Sequence, residues 1–197
     1  EIVRTRDGFL RARDEKDSSL LLCQTPRLAI DNMNLVESSS IVRYLARRFN
    51  VEGSTATEIA RADIVATFVA SVRFPLITLR FQDDPSLLNS DLLPNFLSRL
   101  ERFLRDVDGG FGVAGGTMLT YADFLLVDLL KHAEDESISM DLDLYPRVAK
   151  IYDSALKHDR LASYLESPRR RPIPDGAKVK EICNILDIPI PKYLLES

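Results

Sequence analysis

Long apolar runs are missing from this chain. The longest, "LLLC" and "FLLVDLL", fall far short of the roughly 20 residues that a membrane-crossing helix needs, so no such span is expected. Cysteine is nearly missing too: Cys23 and Cys183 stand far apart in apolar or helical-looking surroundings, which excludes a disulfide framework and a zinc-ligand spacing. A reducing, cytoplasmic compartment is the expectation that follows. There is no basic excess either. With 26 Lys and Arg against 30 Asp and Glu, the net charge of −4 argues against nucleic acid or an anionic membrane as the main partner. The opening "EIVRTRDGF" carries neither an initiator Met nor the apolar stretch of a signal peptide. It reads as the second half of a longer unit, with "EIVRT" a strand without its partner, and the chain is expected to be cut upstream.

What is present is an ordinary soluble composition, 45% hydrophobic and 28% charged over 197 residues, enough for one large domain or two small ones. From Asp7 to about Leu22 the pattern is charged and broken, with Phe9 and Leu10 as first apolar anchors of a short helix. Then the period changes. "RLAI" and "MNLV" alternate around Asp31-Asn32, a pair that tolerates positive φ, and this predicts a two-residue hairpin. Ile41, Val42, Leu45, Ala46 and Phe49 recur at helical spacing, with Arg43, Arg47 and Arg48 crowding the later turns, where the dipole favours cations. That helix is expected over 38–49. "NVEGSTAT", residues 50–57, has no periodicity and reads as a linker.

Everything beyond the linker reads as helices: 59–74 with a kink past Pro75, 92–107 opened by Pro94, then 146–156, 161–165 and the amphipathic "AKVKEICNIL". Between them "DVDGGFGVAGGT" is rich in glycine but has no G-K-[ST] and no strand before it, so a plain connecting loop is expected in place of a phosphate cradle. Thr120 and Asp123 have the spacing of a capping box, and "FLLVDLLKHA" behind them is apolar nearly all round, which suits the centre of a bundle. Asp123 therefore reads as structural, and Thr120→Ala should cost about 1 kcal/mol. The three Arg of "SPRRRPIP" read as a solvated turn.

This order of parts resembles the cytosolic glutathione transferases. "QTPRLAIDNMNLVESSSIVRYLARRF" looks like that family's strand-hairpin-helix signature, "LTYADFLLVDLL" like its capping box and central helix, and "LYPRVAKIYDSALKHDRLASYLESPRRRPIP" like the last helices of its alpha, pi and sigma group. The resemblance implies a mainly α fold: a partial thioredoxin-like α+β domain over 1–49, the linker 50–57, and an all-helical domain over 58–197. It implies a homodimeric, cytoplasmic detoxification enzyme that conjugates glutathione, its co-substrate, to small apolar electrophiles without a metal.

In the group resembled, a Tyr hydroxyl at the end of the first strand stabilises the glutathione thiolate. The resemblance starts inside the second strand, so no catalytic residue is carried onto this chain. The glutathione-binding residues it implies are Gln24, Thr25, Pro26, Glu37 and Ser38. Thr25-Pro26 is expected to be cis, leaving the Thr25 main chain as an unpaired edge for the cysteinyl residue of the ligand. Gln24 adds a side-chain amide. Ser38 faces the γ-glutamyl carboxylate at a helix start, and Glu37 accepts from the α-amino group. Read without the family, Gln24 is a loop amide, Ser38 an N-cap and Glu37 a solvated acid.

The electrophile pocket implied involves Ile77, Phe81, Ile182 and Leu186. Departures from the family pattern are Leu22 at the aromatic dimer key, Ser71 where an Asp reaches the neighbouring subunit's ligand, and Asp91 for an Arg. Glu15 lies at the usual basic position, flanked by Arg13 and Lys16. These departures favour, as the alternative, a non-catalytic ligand-binding or structural module; an isomerase that uses glutathione ranks after it, since no residue separates it from conjugation.

Overall fold

The computed structural model describes residues 5–14, 25–83, 91–107 and 110–195, with side chains from 12 to 14 left aside. The chain divides by contact into two compact units. One holds the described residues up to Phe49 together with those from Pro174 onward; the other runs from Asn50 to Ile173.

In the first unit α1 (Arg6–Asp14) precedes the hairpin of β1 (Arg27–Ile30) and β2 (Met33–Val36), followed by α2 (Ser38–Arg48). The strands pair antiparallel, Arg27 with Val36 through Ile30 with Met33. Asp31 and Asn32 both take positive φ, 48° and 59°, which is the mirror-image turn that matches strand twist. The turn is fastened to α2: the Tyr44 hydroxyl donates to Asp31 and Arg48 pairs with the same carboxylate. Those two partners hold the Asp31 carboxyl below its ordinary range, the Tyr44 bond first. Val36, Ile41 and Ala46 are the buried anchors of this part.

The helix of "AKVKEICNIL" also belongs to this unit. In the order of all helices it is α8 (Gly176–Leu186), packed on α1 and started by Asp175, whose side chain accepts from the Lys178 N–H at 2.8 Å. It ends in a left-handed Asp187, with the Ile188 N–H bonded back to the Cys183 carbonyl at 3.1 Å. An acid at a helix C-terminus opposes the dipole. Arg6 answers it, pairing with Asp187 at 2.9 Å and reaching the Ile185 carbonyl at 3.4 Å. Through these contacts the last helix groups with the first unit although it follows the bundle in sequence.

The second unit consists of α3 (Ala56–Ile77), α4 (Leu92–Arg105), α5 (Tyr121–Asp135), α6 (Pro146–Leu156) and α7 (Asp159–Leu165). Helix α3 starts three residues earlier than the periodicity predicts, because the Thr55 side chain caps it by accepting from the Glu58 N–H at 3.2 Å. It also runs past Pro75. The carbonyls there are served by Thr78, whose hydroxyl donates to Phe74 and Pro75 at 3.0 Å each. With the turn that follows, α3 is long and apolar enough to cross a membrane by length and composition, although its unbroken apolar runs are short. Its inward residues Ala62, Val65, Val69 and Val72 are instead buried in the bundle, where α3 packs on α5.

Helix α5 is the centre, as its all-round apolarity predicts, with Leu126, Leu129 and Leu130 fully buried. Its exposed charge Asp128 pairs with Arg73 at 2.9 Å. Phe68 and Phe96 stack in a tilted pair 4.7 Å apart and close the α3 side of α4. Buried Glu101 of α4 accepts from the N–H groups of Arg147 and Val148 at 3.0 and 3.1 Å, which satisfies two orphan donors at the start of α6.

Candidate functional site

The hairpin's open end, opposite the Asp31-Asn32 turn, carries two unusual junctions. The Thr25-Pro26 peptide is cis, as expected. The ladder ends at the pair of Arg27 with Val36, so Thr25-Pro26, which precede the one, and Glu37-Ser38, which follow the other, leave the same end of the hairpin. Thr25, Pro26, Glu37 and Ser38 are all exposed there, and Gln24 lies outside the described residues.

Glu37 is the strained member. Its φ of 65° and ψ of 109° place a residue with a Cβ where side chains are disfavoured, a cost on the order of 1–3 kcal/mol. Its carbonyl accepts the first helical bond, from the Ile41 N–H at 3.0 Å. The preceding N–H groups, on Ser38, Ser39 and Ser40, belong to the turn that no helical carbonyl can serve. Among the described residues no side chain caps this helix. An anion held at this end would meet several N–H groups and the positive end of the dipole. Thr25, exposed beside it, lies outside the β1–β2 ladder.

Nothing in the residue pattern foretells Glu37's backbone. A Glu before Ser-Ser-Ser reads as the acid of a helix start, and positive φ in a non-glycine residue leaves no compositional mark. Tyr44 and Arg48, four residues apart, lie on one face of α2 and meet at Asp31.

The other expected site residues fall on separate elements. Ile77 ends α3 and Phe81 ends the 3-10 turn Leu79–Phe81; both are half-buried in the bundle unit. Ile182 is half-buried and Leu186 exposed on α8, in the other unit. Thr120 and Asp123 form the capping box: Asp123 accepts from the Thr120 N–H at 2.7 Å and from its hydroxyl at 2.8 Å. The other carboxylate oxygen accepts from the Val113 N–H at 2.7 Å. The glycine-rich loop is therefore tied down by a buried acid. Among the described residues there is no group of three or more His, Cys, Asp or Glu arranged to hold a metal.

Residues 73–168 match the family model "Glutathione S-transferase, C-terminal domain". The chain is 29% identical over 159 residues to glutathione S-transferase Mu 3 of Homo sapiens, covering 79% of this chain and 68% of that protein. It is 28% identical to glutathione S-transferase P 10 of Caenorhabditis elegans over 77% of this chain and 72% of the relative. With glutathione S-transferase A4 of Mus musculus the match spans 94% of this chain and 85% of the relative at 25% identity. Among solved structures, the Onchocerca volvulus Pi-class glutathione S-transferase shares the fold with a TM-score of 0.65, at 21% identity over 95% of this chain and 82% of its own.

Proposed function

Because this chain belongs to the glutathione S-transferase family, we infer that it binds glutathione at the open end of its hairpin and serves its conjugation to apolar electrophiles. The observation that carries the reading is the start of α2, without a side-chain cap and with Glu37 at φ 65°, beside the end of the β1–β2 ladder. A peptide ending in an α-amino acid group needs a main-chain edge to pair with and a cradle for its carboxylate.

In this reading the cysteinyl residue of glutathione pairs with the N–H and C=O of Thr25, beyond the cis bond to Pro26, and Gln24 adds its amide. Ser38 donates its hydroxyl and N–H to the γ-glutamyl carboxylate. Glu37 accepts from the α-amino group, which gives its strained backbone a function. Held so, the thiol loses its proton to solvent or a base. The thiolate attacks the electrophilic carbon, a sulfur–carbon bond forms, and the leaving group departs with its electron pair. These residues contribute orientation and proximity; none of them is assigned the stabilisation of the thiolate. Ile77 and Phe81 are the apolar residues of the bundle unit assigned to the electrophile.

A cytoplasmic homodimer with a detoxifying role completes the proposal. It is supported by the family and by an exposed apolar stripe on α3 that includes Ile64 and Phe74.

The test is calorimetric titration with glutathione, followed by a conjugation assay. Binding in the micromolar to sub-millimolar range, weakened by Ser38→Ala, is the expected result. Absence of binding at millimolar glutathione would overturn the site, and binding without conjugation would turn the reading into a ligand-binding module.

A further inference from the structure

The 3-10 turn that carries Phe81 is held from two sides. Leu79 anchors it in the core, only 3% exposed, and its neighbour Arg80 reaches across to α5. The Arg80 Nε donates to both carboxylate oxygens of Glu136, at 2.7 and 3.0 Å. Glu136 stands at the C-terminal cap of α5, where the helix dipole disfavours an anion, and its side chain is only 11% exposed. A carboxylate in that place needs a cation. His132 also faces it, but its Nε2 is 3.8 Å away and makes no hydrogen bond, so the guanidinium is what fixes the carboxylate.

The turn itself is short. Its bonds are Phe81 N–H to the Thr78 carbonyl at 3.0 Å and Gln82 N–H to the Leu79 carbonyl at 3.1 Å. A single turn of this kind holds its own direction poorly, and one buried anchor leaves it free to pivot about that side chain. A second anchor, on the next residue and toward a different helix, removes the pivot. Ile77 and Phe81 lie two and one residues from these anchors.

We propose that Arg80 and Glu136 are a positioning pair that sets the apolar wall of Ile77 and Phe81, and thereby the electrophile preference of the enzyme. This rests on the assignment of Ile77 and Phe81 to the electrophile. Neither Arg80 nor Glu136 touches glutathione or the reacting atoms in the proposal. Their effect should therefore fall on one substrate only.

The experiment compares the parent enzyme with Arg80→Ala, Arg80→Lys, Phe81→Ala and the exchanged pair Arg80→Glu with Glu136→Arg. Each is assayed with glutathione and a nitro-activated aryl chloride. Arg80→Ala should raise KM for the aryl chloride by up to about tenfold while KM for glutathione stays within about twofold. Arg80→Lys should recover part of the loss, and the exchanged pair most of it. The chain has no tryptophan, so Phe81→Trp supplies a single indole reporter at the wall. Adding Arg80→Ala to it should shift the emission to longer wavelength, a readout independent of turnover.

Three results overturn the proposal. In one, Phe81→Ala raises the aryl chloride KM while Arg80→Ala changes neither that KM nor the indole emission. In the second, Arg80→Ala raises both KM values alike, which marks a general structural role. In the third, Phe81→Ala itself leaves the aryl chloride KM unchanged; the assignment of the wall then fails first, and the pair loses its purpose with it.

Discussion

A Cβ built on Gly112 would stand 2.7 Å from Oδ1 of Asp123, the oxygen that receives the Val113 N–H. Gly112 also takes a φ of +77°, where a side chain is strained. Loop and helix start are therefore one device: the loop can close on the carboxylate because its glycine has no side chain. Val113 and Ala114, fully buried beside it, depend on that closure.

Gly112→Ala should accordingly destabilise the fold by at least about 1 kcal/mol, through strain and the displaced carboxylate. Asp123→Ala should cost more, because it leaves the buried N–H groups of Thr120 and Val113 without an acceptor, at about 1–3 kcal/mol each. Thr120→Ala should be the mildest, near 1 kcal/mol. Urea unfolding of the three variants checks the order; an Asp123→Ala variant as stable as the parent would refute it.

The same carboxyl should give stability an unusual pH dependence. Burial raises its pKa, against the opposing effect of hydrogen bonds from Thr120 and Val113. A group whose folded pKa lies above its unfolded value contributes stability fully present below the unfolded pKa and lost as pH rises through the folded one. The stability advantage of the parent over Asp123→Asn should therefore shrink as pH rises from about 4, the ordinary carboxyl range. Urea midpoints of the pair across a pH series measure it, and an advantage that grows with pH would contradict the sign.

Much of this fold was legible because local and tertiary preferences agree. Asp31-Asn32, the capping box of Thr120 and Asp123, and the apolar girth of α5 each encode their structure in adjacent residues. What was not legible depends on residues distant in sequence. The Arg6 contact with Asp187 draws α8 to the first unit, and Glu101 caps α6 from another helix. The site divides in the same way. The cis bond at Pro26 and the helix start at Ser38 can be read from motif, whereas the backbone of Glu37 is set by the junction around it.

Glu37 offers a test in which stability and binding move in opposite directions. Glu37→Gly removes the steric cost at φ 65°, so the fold should gain about 1 kcal/mol or less, while the carboxylate assigned to the ligand's amino group is lost. Glutathione affinity should fall about tenfold. Thermal unfolding and calorimetry on the same sample decide it: unchanged affinity would remove Glu37 from the site.

The exposed side of α3 carries the last prediction. Ala60, Ile64, Thr67, Ser71 and Phe74 follow one another at steps of four and three, which is one stripe of a helix, and all five are exposed. Ile64 is 54% exposed and Phe74 69%, large values for apolar residues flanked by fully buried neighbours such as Val65 and Val69. A stripe of small and apolar residues with few charges suits the contact of two identical helices across a twofold axis, where each residue meets its own surface again. Placing a carboxylate there sets like charge near like charge in a drying interface, which costs far more than one exposed apolar contact returns. Phe74→Glu, and more so Phe74→Glu combined with Ile64→Glu, should convert the proposed dimer to monomer. Leu144→Glu serves as the control, since Leu144 is 66% exposed on a different element and should leave the assembly unchanged. Sedimentation equilibrium reads the mass directly. A dimer that survives both α3 charges would move the interface away from this stripe, whereas a monomer that keeps its parent's melting profile would assign the stripe to assembly alone.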